Sequence, residues 1–259
     1  MKFSTEKINN IVKMYKEGKS QKEIADFYGT FNTSIRRVLI REGVNIRSLS
    51  ELLSYVKIDV FSDLTSSTVN YWLGWLISDG CVYRQRVTLQ VQETDIEVVE
   101  EFKKFLGNKV IVKKIIHSKY KKVGYRIDFK KRGIEDILYS YGITSNKSLT
   151  IELTIPLNFP MLLGIFEGDG SFTLLGKEKK QGRFSITSGS KKLLIQIQSF
   201  LAEEGITSTI TTNTLGIHDL NVYRKKQLVL LYNKLYENAP FFLKRKKEKF
   251  GSFVQKCTM

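Results

Sequence analysis

An α+β fold, in which two copies of an αββαββα unit follow a small all-α domain, is predicted by three observations on this 259-residue sequence. From residue 68 onward, one order of apolar, alternating and amphipathic segments occurs twice. Before that, residues 4 to 42 carry three short helical patterns punctuated by Gly18 and Gly29. Hydrophobic residues make up 42% of the chain and aromatic residues 12%, which supports a sizeable core and excludes disordered and collagen-like classes.

In the all-α part, Ile8, Ile11, Val12 and Tyr15 recur at helical spacing until Gly18. Ser20-Gln-Lys-Glu23 is a capping box that opens a second helix carrying Ile24, Ala25 and Tyr28. After the Gly29-Thr-Phe turn, a third helix from about Asn32 sends Ile35, Val38 and Leu39 inward. Asn32, Thr33, Ser34, Arg36, Arg37 and Arg41 share its other side. A short helix, a Gly turn and a helix with outward Arg residues form the helix-turn-helix pattern, assigned to residues 1–48. Residues 49–67 read as a linker, and Arg47 beside it is a candidate basic arm for a nucleic-acid groove.

In the first repeat (68–150), an apolar helix at 68–79 precedes a strand pair that includes 86–92. A helix at 95–106, strands at 109–116 and 123–130, and a helix at 134–141 follow. In the second repeat (151–259), the same order runs through 160–169, 171–176, 182–188, 190–204, 206–212, 217–224 and 227–237, ending in a basic tail. A duplication of this kind predicts a pseudo-two-fold architecture.

Lys and Arg number 42 against 26 Asp and Glu, so the net charge is +16, and a polyanionic partner is expected to neutralise it. No apolar run reaches the length of a membrane span, and the first residues lack the apolar stretch of a signal peptide. Cys81 and Cys257 stand far apart without partners at metal spacing, and His117 and His218 read as ordinary strand residues. These features predict a soluble, cytoplasmic, nucleic-acid-facing protein with no membrane association.

Two segments carry the chemistry: Trp72-Leu-Gly74-Trp-Leu-Ile-Ser78-Asp79-Gly80 and Leu162-Leu-Gly164-Ile-Phe-Glu-Gly168-Asp169-Gly170. Each is apolar almost all round, so each helix is buried on most sides. Gly74 with Ser78, and Gly164 with Gly168, place small residues four apart, a spacing that lets two helix backbones approach. Each helix ends in Asp-Gly, where Gly suits a left-handed terminating residue. Asp opposes the helix macrodipole at that end, and two converging carboxylates repel each other. A divalent cation relieves both problems, and Mg²⁺ takes one or two carboxylates plus water and phosphate oxygens. The pattern suggests two acids presenting metal ions to a phosphodiester.

These segments resemble the nine-residue signature of the LAGLIDADG homing endonucleases in their single-chain, two-motif form. GIFEGDGSF is close to that pattern; LGWLISDGCV departs from it, with Trp at apolar positions and Ile77 where the consensus has an acid. The resemblance covers about residues 68–255, with the helix-turn-helix as an appended module. It implies a monomer that hydrolyses both strands of double-stranded DNA at a long asymmetric site, using Mg²⁺ or another divalent cation such as Mn²⁺. It implies Asp79 and Asp169 as the catalytic acids, and Gly80 and Gly170 beside them at the metal site. Glu167 matches an upstream acid that is usually not catalytic. A basic residue is implied at the end of the last strand of each repeat, where strand alternation favours Lys130 and Lys225.

The same resemblance makes the strands a DNA-binding β-saddle in the major groove. With Val87, Leu89 and Val91 inward, Arg86, Thr88, Gln90 and Gln92 face out; with Phe184 and Ile186 inward, Arg183, Ser185 and Thr187 do so. The basic runs Lys119–Lys122, Lys177–Lys180 and Lys244–Lys247, which includes Arg245, read as phosphate contacts. Two further readings stay open: a non-cleaving transcription regulator on the same scaffold, and an intron RNA maturase.

Overall fold

The computed structural model describes residues 3–17, 19–46, 56–117, 122–145, 147–178 and 180–258, and the chain divides into two units, Met1–Ser54 and Tyr55–Met259. In the first unit, the helical patterns become α1 (Thr5–Lys16), α2 (Gln21–Phe27) and α3 (Asn32–Arg41). The capping box at Ser20 forms in both directions: the Glu23 amide donates to Ser20 Oγ at 3.1 Å, and the Ser20 amide donates to Glu23 Oε2 at 2.7 Å. Gly29, at φ 59°, makes the left-handed turn between α2 and α3. Ile11, Met14, Ile24, Ile35 and Leu39 close a separate core. Arg47 and residues 48–55 lie outside the described residues.

The second unit carries the duplication. Its first half runs α4 (Ser67–Ser78), β1 (Gly80–Tyr83), β2 (Arg86–Gln92), α5 (Ile96–Phe105), β3 (Val112–His117), β4 (Lys122–Lys130) and α6 (Ile134–Ser140). The second runs α7 (Phe159–Asp169), β5 (Gly170–Leu175), β6 (Gln181–Ser188), α8 (Lys191–Glu203), β7 (Thr209–Thr212), β8 (His218–Val222) and α9 (Lys225–Tyr236). A last helix, α10 (Lys244–Thr258), follows. Each half folds one antiparallel sheet, ordered β1-β2-β4-β3 and β5-β6-β8-β7, so the same topology is built twice. Val87, Leu89, Ile127 and Phe129 from one sheet, and Phe172, Phe184, Ile186 and Leu220 from the other, enter one shared core.

The two sheets are joined through α4 and α7, buried along nearly their whole length. Their glycines explain how. A Cβ on Gly74 would lie 2.2 Å from the Met161 carbonyl oxygen, and one on Gly164 would lie 2.2 Å from that of Tyr71. The helices therefore meet backbone to backbone, and neither position tolerates a side chain.

Three parts differ from the sequence expectation. Residues 56–67, read as linker, contribute Val56 and Phe61 to the core. The basic tail is the 15-residue helix α10, because Phe250, Phe253 and Val254 recur at helical spacing and are buried. Strand β8 ends at Val222, so Lys225 starts α9 instead of ending a strand.

Candidate active site

Asp79 is the C-cap of α4, and Asp169 is the last residue of α7. The expected left-handed terminating glycines are not found: neither Gly80 nor Gly170 has a positive φ, and each opens a strand directly. Glycine is needed there for space. A Cβ on Gly80 would lie 2.5 Å from Leu76 Cα, and one on Gly170 would lie 2.4 Å from Phe166 Cδ2. The chain thus leaves each acidic helix close against its last turn, which holds the carboxylate at the helix junction. The two acids converge: a Cβ built on Gly168 would stand 3.0 Å from Asp79 Oδ2.

Both carboxylates reach solvent at their tips, while the packed helix ends around them exclude much of their hydration. That burial, with the neighbouring Asp79 charge, pushes Asp169 up to about 6. Burial also raises Asp79, opposed by the ammonium groups of Lys246 and Lys147.

Sequence reasoning missed Lys147 altogether, and it read Lys246 only as part of a phosphate-contacting basic run. Lys147, in a 3-10 turn (Lys147–Leu149) after the first repeat, is 7% exposed, and Lys246 on α10 is 9% exposed. Lys147 Nζ donates to the Gly80 carbonyl at 2.5 Å and more weakly to that of Ser78 at 3.5 Å. Lys246 Nζ donates to the carbonyls of Phe166, Glu167 and Gly170 at 2.9, 2.7 and 2.6 Å. Each ammonium therefore caps the negative end of the acidic helix in its own repeat. Burial lowers both, Lys246 to about 8, against the raising influence of nearby carboxylates. Lys130 and Lys225 do not take this place: Lys130 is exposed at the edge of β4 opposite Arg86, and Lys225 is exposed on α9. The carbonyls of Gly80 and Gly170, the residues expected beside the metal, accept from these ammonium groups.

Glu167 departs from its partner position, Ile77. It is 1% exposed, accepts from Tyr71 Oη at 2.6 Å and from the Leu243 amide at 2.7 Å, and burial pushes it up to about 7. It thereby ties the start of α10 to α7. Arg245 is not a free phosphate contact either: it holds Asp95 through two hydrogen bonds of 2.6 Å each. A cleft of about 1100 Å³ runs from Asp79 past Gln90 and Gln92 to Asp95 and Arg245.

The outer sheet faces hold the expected strand residues. Arg86, Thr88, Gln90 and Gln92 lie opposite Lys130, Asp128, Arg126 and Gly124, and Ser185 and Thr187 lie opposite Asn221 and Asp219. Sequence reasoning missed the acids on these faces, because they come from the partner strands. Ser185 is buried, and Arg183 is half-buried with its Nε unpaired. Lys244 is exposed at the start of α10. Lys119 to Lys121, and Lys179 within the Lys177–Lys180 run, lie outside the described residues. In the first unit, Asn32, Thr33, Arg36, Arg37 and Arg41 are exposed on α3 and Ser34 is half-buried, while Arg41 pairs with Glu42 at 3.3 Å. His218 shares a 2.7 Å hydrogen bond with Thr212 Oγ1, in keeping with a strand role.

Among the described residues no group of three or more His, Cys, Asp or Glu side chains is placed to hold a metal. The donor set fits a hard cation only in the sense that Asp79 and Asp169 supply two carboxylates, both held above their ordinary range by burial and one by the other's charge. Water and phosphate oxygens would have to complete the shell, which is the habit of Mg²⁺.

Residues 157–236 match the family model of the LAGLIDADG-like domain. Over 189 residues the chain is 27% identical to the protein MJ0314 of Methanocaldococcus jannaschii, covering 68% of this chain and 69% of that one. In structure it is similar to the homing endonuclease I-WcaI bound to its DNA recognition sequence, with a TM-score of 0.55, 14% identity, and coverage of 81% of this chain and 96% of that one. It is also similar to the LAGLIDADG meganuclease I-AabMI bound to uncleaved DNA, with a TM-score of 0.51, 14% identity, and coverage of 73% and 89%. No helix among the described residues is long and apolar enough to cross a membrane. Residues 157–236 thus match the LAGLIDADG-like domain, and the chain shares its fold with the homing endonuclease I-WcaI and the LAGLIDADG meganuclease I-AabMI.

Proposed function

We propose that this chain is a site-specific, divalent-metal-dependent endonuclease that cuts both strands of double-stranded DNA and acts as a monomer. The observation that carries the reading is the convergence of Asp79 and Asp169, one from each half of a duplicated unit, with one buried lysine behind each helix end. Two repeats in one chain supply the two acids that cutting two strands requires.

Asp79 and Asp169 would hold Mg²⁺ or Mn²⁺, and the cation would supply Lewis-acid polarisation of the phosphate and an acidified water. The protein groups do the rest. The carboxylates fix where a phosphodiester can sit, at the junction of the two halves. An ammonium has three N–H groups, and Lys246 commits all three to carbonyls. It stabilises developing negative charge through its field. Lys147 makes one strong hydrogen bond and one marginal one, so it keeps an N–H for a phosphate oxygen or the attacking water. The outward strand residues Arg86, Thr88, Gln90, Gln92 and Arg183 would read base edges, and the α3 face of the first unit would add a DNA contact of its own.

The test is cleavage-site selection on random duplex DNA with Mg²⁺, using wild type, Asp79→Asn and Asp169→Asn. Selected cleavage by wild type and none by either variant supports the reading. Cutting by both variants at wild-type rates removes it.

A further inference from the structure

The two outer sheet faces are equivalent in register, and at one position of that register they carry opposite charge. Gly80 pairs with Leu89, and Gly170 pairs with Ile186, so Leu89 and Ile186 are equivalent positions. Counting along the strands, Gln90 opposite Arg126 in the first sheet corresponds to Thr187 opposite Asp219 in the second. The duplication thus puts a cation in one half and a carboxylate in the other at one place on the face.

Their surroundings differ too. Asp128 in the first sheet is enclosed by Arg86 at 2.8 Å, Lys113 at 3.1 Å and Arg126 at 3.5 Å, so its charge is neutralised. Asp219 has no ion pair among the described residues. Its Oδ1 accepts from Thr187 Oγ1 at 2.5 Å, which leaves Oδ2 open. Its strand neighbour on the same face, Asn221, has an Oδ1 that is buried and unpartnered. Around Asp219 this face therefore carries unsatisfied acceptors. A lone carboxylate is repelled by phosphates, so on a DNA-facing strand its favourable partner is a base that donates a hydrogen bond. Asp accepts from the N4 amine of cytosine, whereas Arg donates to guanine.

We propose that Asp219 is a specificity residue that selects cytosine in the half site under the second sheet, and that the target departs from two-fold symmetry at this position because the first sheet presents Arg126 there. Thr187 is the positioning residue that orients the carboxylate. The inference rests on the DNA-cleavage reading above.

Binding-site selection from random duplex DNA tests it, read without cleavage in Ca²⁺, on wild type, Asp219→Asn, Asp219→Arg and Thr187→Val, each checked for folding by circular dichroism. Wild type should enrich cytosine about tenfold at one position of one half site. Asp219→Asn should move that preference toward adenine, and Asp219→Arg should move it to guanine, leaving all other positions in place. Thr187→Val, which keeps the carboxylate, should weaken the cytosine preference without replacing it, and it remains informative where the Asp219 variants fail to fold. A wild-type consensus that none of the folded variants alters overturns this inference and leaves the nuclease reading standing. No selected sequence for wild type overturns both.

Discussion

Replacing Asp169 with Asn should make the metal-free protein more stable at pH 8 while abolishing cleavage. An ordinary Asp titrates near 3.8, and burial beside the Asp79 charge pushes Asp169 up to about 6. A difference of about 2 units corresponds to roughly 3 kcal/mol between protonation states. Its carboxylate tip reaches water, so solvent screening reduces the effective cost to about 1–2 kcal/mol. The sign follows from linkage: the folded state binds the proton more tightly, so deprotonation costs stability. That cost is absent below the unfolded value, grows between pH 3.8 and about 6, and is complete above it. Asn removes the charge and keeps the shape. The gain should reach about 1–2 kcal/mol at pH 8 and fall to roughly half at pH 5. For a unit of this size, thermal denaturation in EDTA should show Tm rising by about 2–8 °C at pH 8. A variant equally destabilised at pH 5 and pH 8 would refute the account of Asp169 as an acid held against its neighbours.

Other outcomes follow from the same site. Mg²⁺ should raise the wild-type Tm at pH 8 and much less at pH 5, because a proton on Asp169 competes with the cation; equal shifts at both pH values would argue against the carboxylate site. Lys246→Met should cost about 2–4 kcal/mol in urea unfolding, because it removes a donor from three helix-end carbonyls, of which that of Phe166 keeps the Gly170 amide, and Lys147→Met should cost less. On end-labelled duplex, one strand should be cut faster than the other, and Lys147→Met should slow one strand more than its partner; equal rates in both proteins would remove the inequivalence. Deleting Met1–Ser54 should shorten the protected footprint at one end only and flatten the salt dependence of binding; a footprint of unchanged length would assign the first unit another role.

The repeated backbone was legible because it rests on periodicity. Val87, Leu89 and Val91 alternate, the segments recur in one order, and two apolar helices with small residues four apart can only be buried against each other. The lysines at the site were not legible for a related reason. Strand alternation points at Lys130 and Lys225, but Lys147 lies in a turn with no periodic signal, and Lys246 lies within a run of basic residues where nothing marks one as buried. The signal was one step further along: Phe250, Phe253 and Val254 at helical spacing turn the basic run into a helix, and that helix carries one lysine inward. The role of the terminal glycines was misread because Asp-Gly suits a left-handed turn and close packing equally well. Only the position of the preceding helical turn, Leu76 in one case and Phe166 in the other, distinguishes the two.

Duplication gives the two halves one backbone, and selection then acts on side chains that occupy equivalent places. The differences cluster where chemistry is decided. Ile77 and Glu167 hold equivalent places in the two helices, one apolar and one a buried acid, and only the acid anchors α10 through the Leu243 amide. Lys147 keeps an N–H that Lys246 has already spent. Arg126 and Asp219 give one register position opposite charge. Each of these exchanges sits at a helix end or on an outer strand face, and the buried ones are satisfied by hydrogen bonds where they are polar. A scaffold that needs symmetry to bring two acids together can therefore lose it everywhere else, and the sequence it recognises can be as asymmetric as the side chains that line it.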